Sequence, residues 1–530
     1  ITDTTLVFME LDTLITATLF GLIVSLLIIL ASRSEPKKSR RRRPPGPWGL
    51  PFVGSIHHML TSQPQAALRD LASKHGPVMY LRLGQVDTVV ISSPAAAEEV
   101  LRANDLSFAS RPSLLGGEVI LYGNLDIAFA PYGAYWRALR KLCALELLSG
   151  FKVRQLAPTR DRETMSLVTV VREVAAVARR CSAGGGGGEP AVVNLGELLV
   201  SCASSITGLA AFGDRCSGEL MEQFLSAISV VISNISGFCV SDLFPSLWLV
   251  DVVTGTRRRL QRAHRQLDDV LEKIIAESEA RRKERKAKNA EGEEEDLLSV
   301  MLRIRDEGDF EFPFNTTNIK AIILDLFTGG TETVSSTAEW VMAELMKNPN
   351  TMVKAQTEVR QAFKNIGPHD HESQMNELYY TRLVIKETLR LHPPLPLLLP
   401  RMCRETCNVG PFEVAKGSRV IINSWAIARS PEHWDNAEKF KPQRFENSMA
   451  DFKGTHFEYL PFGYGRRMCP GSGFGISVLE LMVARLLYYF DWSLPDGMRP
   501  EELDMDMTVG ASAKRTNQLH LVASDPLMKF

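Results

Sequence analysis

The chain has 530 residues, of which 45% are hydrophobic and 23% charged, with 61 basic and 62 acidic side chains. This profile excludes disordered, collagen-like and coiled-coil proteins, and eight cysteines in such a length exclude a small secreted disulfide scaffold. The formal net charge of −1 offers no electrostatic basis for binding nucleic acid.

The amino-terminal end carries an apolar stretch long enough to cross a bilayer. No charged residue lies between Asp12 and Arg33, and a helix of that length spans about 30 Å. A basic run follows, so that residues 1–43 carry seven basic and four acidic side chains. The positive-inside rule therefore predicts a permanent anchor with the rest of the chain in the cytosol. A cleavable signal peptide is the weaker alternative, because its positive charge would precede the apolar stretch.

A proline-rich segment links the predicted anchor to the body. Three of the four residues at 44–47 are proline, which fixes the backbone in an extended, non-helical conformation. We therefore predict an N-terminal membrane anchor over residues 1–32, a basic and proline-rich hinge over 33–54 and a cytosolic body over 55–530.

Helical periodicity dominates the body, and the strand-like pieces are short. One is Val78–Leu83 and a second is 88–91, with Gly84 and Asp87 expected in a hairpin turn between them. The glycine run 184–188 predicts a flexible surface loop. The sequence therefore predicts a mainly α fold with small β-sheets.

The strongest chemical signal is the segment PFGYGRRMCPG at residues 461–471, which opens onto an apolar helix predicted over 474–490. Cys469 lies near the amino end of that helix, where the helix dipole and nearby arginines favour the thiolate. Gly465 and Gly471 allow backbone bends and close approaches that a Cβ would block. A lone cysteine is usually a small buried hydrophobe, but the surrounding eleven residues argue against that interpretation here.

This segment resembles the haem-thiolate signature of the cytochrome P450 family, and the anchor and hinge resemble its plant microsomal A-type members. The resemblance runs from residue 44 to the carboxyl terminus. It implies the cytochrome P450 fold behind a transmembrane helix, with haem b as cofactor and Cys469 as the axial ligand of the iron. At about 150 residues per domain, the length alone would suggest three or four domains, whereas the resemblance implies one large catalytic domain.

The resemblance also implies the reaction and its partners. The sequence has no Walker or Rossmann glycine motif, so NADPH acts indirectly, through a membrane-bound NADPH–cytochrome reductase. The implied activity is that of an NADPH- and O2-dependent monooxygenase. The protein is expected to cross the endoplasmic reticulum membrane once. Membrane lipid and a hydrophobic small molecule are its other expected partners.

A charged pair in the second half of the chain supports the same family. Glu387 and Arg390 share one helix face because of their i,i+3 spacing, although surface pairs at this spacing contribute less than about 1 kcal/mol. Together with Arg444 they match the family's Glu-Arg-Arg triad. The resemblance implies that this triad braces the loop that carries the cysteine.

Two glycines interrupt the apolar stretch at residues 321–342. Gly329 and Gly330 each cost a helix roughly 1 kcal/mol, which predicts either a local bulge or a close packing contact. The resemblance implies a bulge that accommodates dioxygen and water. It also implies that Glu332 and Thr333 form the catalytic acid–alcohol pair that delivers protons.

Further residues are assigned by resemblance. Indole and guanidinium N–H groups suit carboxylates, and the donors expected at the haem carboxylates are Trp136, Arg140, Arg401 and Arg467. The expected recognition regions are 113–126, 230–239, 321–330, 394–399 and 508–512. The candidate pocket residues, which predict a hydrophobic substrate, are Leu324, Phe327, Leu397, Leu398 and Val509.

The substrate and three other functions stay open. A terpenoid, in particular a diterpenoid plant specialised metabolite, is the first expectation, and a flavonoid or other phenylpropanoid is the second. A haem-thiolate hydroperoxide isomerase or dehydratase would need neither reductase nor dioxygen, and a haem sensor would catalyse nothing. The acid–threonine pair and the uninterrupted cysteine loop favour the monooxygenase over both.

Overall fold

The computed structural model describes residues 43–183, 192–213, 218–235, 239–287, 296–308, 310–452, 456–510 and 512–526. The predicted anchor, almost all of the basic run and the glycine run at 184–188 lie outside these residues, so those predictions stay as they are.

Helices dominate the described residues. The α-helices, in chain order, are α1 Pro64–His75, α2 Pro94–Glu98, α3 Leu115–Ile120, α4 Ala134–Leu142, α5 Gly150–Gln155, α6 Ala157–Ala183, α7 Leu195–Phe212, α8 Gly218–Ile235, α9 Val240–Leu243, α10 Trp248–Val253, α11 Thr256–Ala287, α12 Leu297–Glu307, α13 Thr316–Lys347, α14 Pro349–Ala362, α15 Tyr379–Leu391, α16 Ser424–Ile427 and α17 Ser472–Tyr489. Short π-helical turns occur at Glu99–Ala103 and Cys143–Leu147, and 3-10 turns at Ile56–His58, Pro245–Leu247, His371–Glu377, Pro442–Phe445, Gly465–Arg467, Pro495–Gly497 and Pro500–Glu502.

The strands are short and form small sheets. They are β1 Val78–Leu83, β2 Val86–Ile91, β3 Val192–Asn194, β4 Arg401–Met402, β5 Cys407–Val409, β6 Phe412–Val414, β7 Arg419–Ile422, β8 Asp491–Ser493, β9 Met507–Val509, β10 Ala513–Arg515 and β11 His520–Ser524. The largest sheet has the order β1-β2-β7-β4, with β2 and β7 parallel and its other pairs antiparallel. The smaller sheets are β3-β11-β8, β10-β9 and β5-β6. The predicted mainly α fold with small β-sheets is confirmed.

The predicted amino-terminal hairpin is present with a tighter turn than expected. Gly84 lies in the turn with φ +64°, a left-handed conformation that favours glycine. Asp87, however, lies within β2 opposite Arg82 rather than in the turn. Its carboxylate accepts a hydrogen bond of 2.5 Å from Tyr80 Oη on β1, and this bond holds Asp87 in the ladder.

The long helix α13 runs through the centre of the molecule. Its amino end is capped by reciprocal hydrogen bonds between Asn315 and Asn318. Its first half packs with α8, α11 and α12, and its second half packs with α6, α15 and α17, in two separate buried clusters. The functional cavity lies where these two clusters meet, beside Gly329 and Gly330.

Two described helices, α7 and α17, are apolar and long enough to cross a membrane. Their most hydrophobic windows are 67% and 61% buried inside the protein, which is typical of core helices.

Candidate active site

A cavity of about 340 Å³ separates the middle of α13 from the loop that precedes α17. Gly329, Glu332 and Thr333 line its α13 side, and Cys469 lines the opposite side. Most of the remaining wall is apolar, with side chains such as Leu326 between the two. The residues predicted for chemistry from distant parts of the sequence therefore face one enclosed space.

The loop before α17 is held by a close backbone approach at Gly465. This residue has φ +72°, and a Cβ on it would lie 2.7 Å from Leu101 O and from Asp105 Oδ1. Only glycine fits such a position without moving the backbone. Gly471 differs from the prediction, because its φ is −92° and a Cβ on it would meet Leu148 only at 4.0 Å.

The thiol of Cys469 is accessible because it lines the cavity. Its backbone N–H donates to Phe462 O at 3.0 Å, and α17 begins three residues later at Ser472. Burial raises the pKa of the Cys469 thiol, while the Gly471 amide and the charge of Arg140 lower that pKa. Coordination to a metal ion would lower the pKa of this thiol further, because a coordinating thiol is deprotonated.

The predicted charged triad is assembled away from water. Glu387 and Arg390 are 0% exposed, and Arg390 donates to both carboxylate oxygens at 2.8 and 2.9 Å. Arg444 Nε donates to Glu387 Oε1 at 2.9 Å. Because the one carboxylate of the triad is shared by two arginines, removal of the Glu387 charge would leave both guanidinium groups without this counter-ion.

The triad is connected to the cysteine loop through backbone groups. Glu387 also accepts from Lys441 N at 2.8 Å, and Arg444 donates to Asp435 O at 2.7 Å, which fixes the chain that leads to the loop. Tyr459 Oη donates to Lys386 O on α15 at 2.9 Å, two residues before the loop begins. These contacts supply a physical route for the expected bracing role.

Donors suited to carboxylates converge at one end of the cavity. The cavity wall includes the four donors that the resemblance assigns to the haem carboxylates, Trp136, Arg140, Arg401 and Arg467, and it also includes Arg111. Burial, followed by the charge of Arg401, lowers the pKa of Arg467 to about 9. Such an accumulation of buried positive charge favours anionic groups and, beside a thiol ligand, fits a planar iron cofactor with two carboxylates.

These donors also have partners within the protein. Arg467 donates to three carbonyls, those of Ala109, Ile127 and Ala130, which leaves two of its five N–H groups for other acceptors. Trp136 Nε1 donates to Ile127 O at 2.9 Å. Arg401 donates to Asp105 Oδ1 at 3.1 Å and to Tyr464 O at 2.8 Å.

The two glycines of α13 have different environments. The helix is continuous through both, so the expected bulge is not observed, and Thr333 Oγ1 donates to Gly329 O at 2.6 Å. A Cβ on Gly330 would lie 3.0 Å from Thr207 Oγ1 on α7, whereas a Cβ on Gly329 would meet nothing within 4 Å. Gly330 therefore permits close helix packing, and Gly329 leaves space in the cavity.

The candidate acid on α13 has a partner that the sequence did not indicate. Ser512 Oγ, which lies just before β10, donates to Glu332 Oε2 at 3.1 Å. Ser512 is buried and lines the cavity next to Glu332. The distance between the two residues along the chain, 180 positions, explains why no local pattern could reveal the pair.

Four of the five predicted pocket residues need correction. Leu398 lines the cavity, whereas Leu324 and Phe327 are each 1% exposed in the core behind α13. The helix phase is the reason, since Ile322, Leu326 and Gly329 occupy the face toward the cavity. The remaining two also pack elsewhere in the protein, Leu397 beside the largest sheet and Val509 beside Trp340.

Two further wall residues were missed by the sequence analysis. Asp325 faces the cavity from α13, and its signal was available, since it is the one charged residue in the apolar run 321–327. Arg111 donates to Leu399 O at 2.7 Å and to Pro400 O at 3.0 Å. No local pattern around Arg111 distinguishes it from a surface arginine.

Comparison with known proteins points to one family. The family model described as Cytochrome P450 matches residues 44–521. A 9-beta-pimara-7,15-diene oxidase of Oryza sativa subsp. japonica is 58% identical over 516 residues, covering 97% of this chain and 98% of the relative. A premnaspirodiene oxygenase of Hyoscyamus muticus is 45% identical and covers 95% of this chain and 97% of its own length.

A solved structure shares the fold. The zebrafish cytochrome P450 with progesterone aligns with a TM-score of 0.70 at 24% identity, covering 87% of this chain and 99% of that one. At this identity the similarity concerns the architecture alone.

Proposed function

The chain belongs to the cytochrome P450 family and is a haem-thiolate monooxygenase with haem b as cofactor; from this premise, we propose that it oxidises a diterpenoid hydrocarbon. The observation that carries the proposal is the apolar cavity that has Cys469 on one wall and Thr333 with Glu332 on the other. Such a space holds a hydrophobic molecule near the cofactor with few hydrogen bonds to it.

The residues have separate proposed tasks. When bound, haem supplies the activation of dioxygen, and Cys469 is its proposed iron ligand. Trp136, Arg140, Arg401 and Arg467 would hold its carboxylates at the positively charged end of the cavity.

Thr333 and Glu332 are the proposed proton-transfer pair. The Thr333 hydroxyl lies at the cavity wall with its oxygen free to accept, because its proton is donated to Gly329 O. Glu332 lines the same wall and can exchange protons with Thr333 through water. Gly329 leaves room for such a water beside them.

The proposed substrate class rests on wall chemistry and on relatives. Side chains such as Ile322, Leu326 and Leu398 give the cavity an apolar surface that suits a polycyclic hydrocarbon. The rice relative at 58% identity is named as an oxidase of a pimaradiene, which is a diterpene, and the Hyoscyamus relative is named as an oxygenase of another diene. A flavonoid or other phenylpropanoid stays the second candidate.

The membrane is the proposed location of the protein, in the endoplasmic reticulum with the body in the cytosol. Beyond the predicted anchor, α10 exposes Trp248 at 52% and Val253 at 85%. The turn of the β1–β2 hairpin binds the segment before α10, since Gln85 N donates to Leu243 O at 2.7 Å. The same hairpin contacts the hinge, which exposes Trp48 at 68%, so exposed apolar side chains occur on or next to both segments that contact this hairpin.

The experiment is turnover by the full chain with a NADPH–cytochrome reductase in membranes. A panel of diterpene hydrocarbons, sesquiterpene hydrocarbons and flavonoids is offered, and products are identified by mass and NMR. We expect one added oxygen atom on a diterpene, dependent on NADPH. The Cys469→Ala variant loses both product and the thiolate spectrum of the carbon monoxide complex, while Cys407→Ser, outside the cavity wall, keeps both.

Each other result selects another function. Turnover without NADPH would identify an isomerase or dehydratase. A normal thiolate spectrum without turnover on the whole panel would favour a sensor, and oxidation of flavonoids alone would replace the diterpenoid assignment.

A further inference from the structure

Two carboxylic acids outside the proposed proton-transfer pair lie together at the edge of the cavity. Asp325 is on α13 and lines the cavity, and Asp126 is in the loop between α3 and α4, directly before the wall residue Ile127. Asp126 is 0% exposed, and it is close enough to Asp325 for its charge to raise the pKa of that acid. Two buried like charges are costly, so this arrangement requires a compensating interaction.

The two acids bind three successive amides of one loop, residues 126–130. Asp325 Oδ2 accepts from Ile127 N at 2.5 Å and from Ala128 N at 3.2 Å. Asp126 Oδ2 accepts from Phe129 N at 2.8 Å. Asp126 Oδ1 is buried and has no hydrogen-bond partner in the described part of the chain. A proton held between this oxygen and Asp325 would satisfy it and remove one of the two negative charges.

The carbonyl groups of the same loop bind the donors of the cofactor end. Ile127 O accepts from Trp136 Nε1 at 2.9 Å and from Arg467 Nη1 at 3.1 Å. Ala128 O accepts from Arg111 Nε at 3.0 Å. The loop thus lies between acids on its amide side and nitrogen donors on its carbonyl side, and its position determines where those donors lie.

We propose that Asp126 and Asp325 share one proton and act as a positioning pair, which fixes loop 126–130 and through it Trp136 and Arg467 for the haem carboxylates. Neither acid is a catalytic residue in this role. The proposal rests on the haem-binding assignment of Trp136 and Arg467 under the proposed function, and it does not depend on the substrate.

The charges around the pair give it a defined pH response. Burial raises the pKa of Asp325 well above the usual carboxyl range, and burial raises the pKa of Asp126 to about 6 despite the Phe129 amide and two arginines. The titratable and charged groups facing the pair are Arg111, Arg467, Tyr135 and Cys143. An acid with a raised pKa holds its proton more tightly in the folded state. Its contribution to stability is therefore full below about pH 4 and is lost as pH rises through the folded-state pKa.

The test compares Asp325→Asn with Asp325→Ala in the haem-bound full chain. The Asn amide oxygen can accept from the loop amides, and its NH2 group can donate to Asp126 Oδ1 in place of the shared proton. We expect the thermal midpoint of the wild type to fall as pH rises above about 6, and we expect Asp325→Asn to keep haem and to lose this fall. Asp325→Ala leaves two buried amides without an acceptor, and we expect roughly tenfold faster haem loss.

Asp242→Asn is the matched control. Asp242 is also a buried acid that binds two loop amides, those of Leu115 at 2.7 Å and Cys239 at 2.8 Å. Its substitution should leave the rate of haem loss unchanged, because the amides that Asp242 binds lie outside loop 126–130, whose carbonyls bind Trp136 and Arg467.

The proposal is overturned if Asp325→Asn loses haem as fast as Asp325→Ala or keeps the wild-type pH slope. If Asp325→Ala does not fold, Asp126→Asn replaces it and must flatten the same slope, since either amide substitutes for the shared proton. Normal haem spectra and pH behaviour without diterpene turnover would contradict the substrate assignment and leave the positioning pair intact.

Discussion

At the residue scale, Ser512 determines where the acid of the proposed proton-transfer pair lies. Its hydroxyl lies next to Glu332 in the cavity wall and donates to Glu332 Oε2 at 3.1 Å. A glutamate on a helix has several free rotamers, and a single buried hydrogen bond selects one of them. The Glu332 side chain is thereby held in one orientation beside Thr333, whereas without this bond it could adopt several.

We expect Ser512→Ala to lower the amount of product formed per NADPH consumed. The reduction should be roughly fivefold, which corresponds to the loss of a hydrogen bond of about 1 kcal/mol. Product and NADPH are measured in the same reconstituted reaction, together with the hydrogen peroxide released. Ser512→Thr keeps the hydroxyl and should restore the ratio. An unchanged ratio in Ser512→Ala would show that Glu332 does not need this partner.

At the scale of elements, the triad joins α15 to the chain that enters the cysteine loop. Glu387 accepts from Arg390 on its own helix and from Arg444 and Lys441 N in the following segment. Because Glu387 and Arg390 are fully buried, water does not compensate their charges, and Glu387 is the acid that both arginines of the triad share. We therefore expect the position of the loop to depend on this one carboxylate, which is not among the residues that line the cavity.

We expect Glu387→Gln to destabilise the haem-bound protein by about 3–5 kcal/mol, because it leaves buried guanidinium charge without a counter-ion. Glu438→Gln is the control: Glu438 pairs with Arg429 at 3.1 Å, but its side chain is 63% exposed, so the loss should stay below about 1 kcal/mol. Urea denaturation followed by tryptophan fluorescence measures both. Equal losses in the two variants would contradict the bracing role.

At the scale of the whole molecule, the body carries its own core and its own apolar surface. The buried hydrophobic residues of the described clusters run from Leu68 to Ala523, within the predicted catalytic body. The turn of the β1–β2 hairpin contacts both the hinge, through Gly84 N to Val53 O at 3.1 Å, and the segment before α10, through Gln85 N to Leu243 O at 2.7 Å. Folding and membrane contact are therefore expected to be separable.

We expect the chain without residues 1–42 to bind haem and still to sediment with phospholipid vesicles. The doubly substituted Trp248→Glu, Val253→Glu form of this shortened chain should stay in the supernatant, because two charges replace apolar contact with lipid. Val353→Glu, which alters a 62% exposed valine on α14, is the control and should not reduce sedimentation. Release by the control alone, or retention of the double variant, would refute this surface.

Much of the fold class and the chemical class could be predicted because their signals are local. The cysteine segment lies within eleven residues, and the hairpin needs only alternating residues around Gly84. The chain positions of Glu387 and Arg390 on one helix face follow from helical spacing alone. The assignment of Leu324 and Phe327 to the cavity wall was wrong. The sequence of an apolar helix that is buried on all sides does not reveal which side faces the cavity.

The sequence by itself determined the family through the resemblance of residues 461–471 to the haem-thiolate signature, and that resemblance implied the cofactor and the proposed iron ligand. Tertiary structure alone decided that Ser512 meets Glu332 and that Gly330 meets Thr207. It also decided that Asp126 and Asp325 bind backbone amides of the same loop. These groups are far apart along the chain, and their contacts depend on how helices and loops pack, which no local pattern encodes.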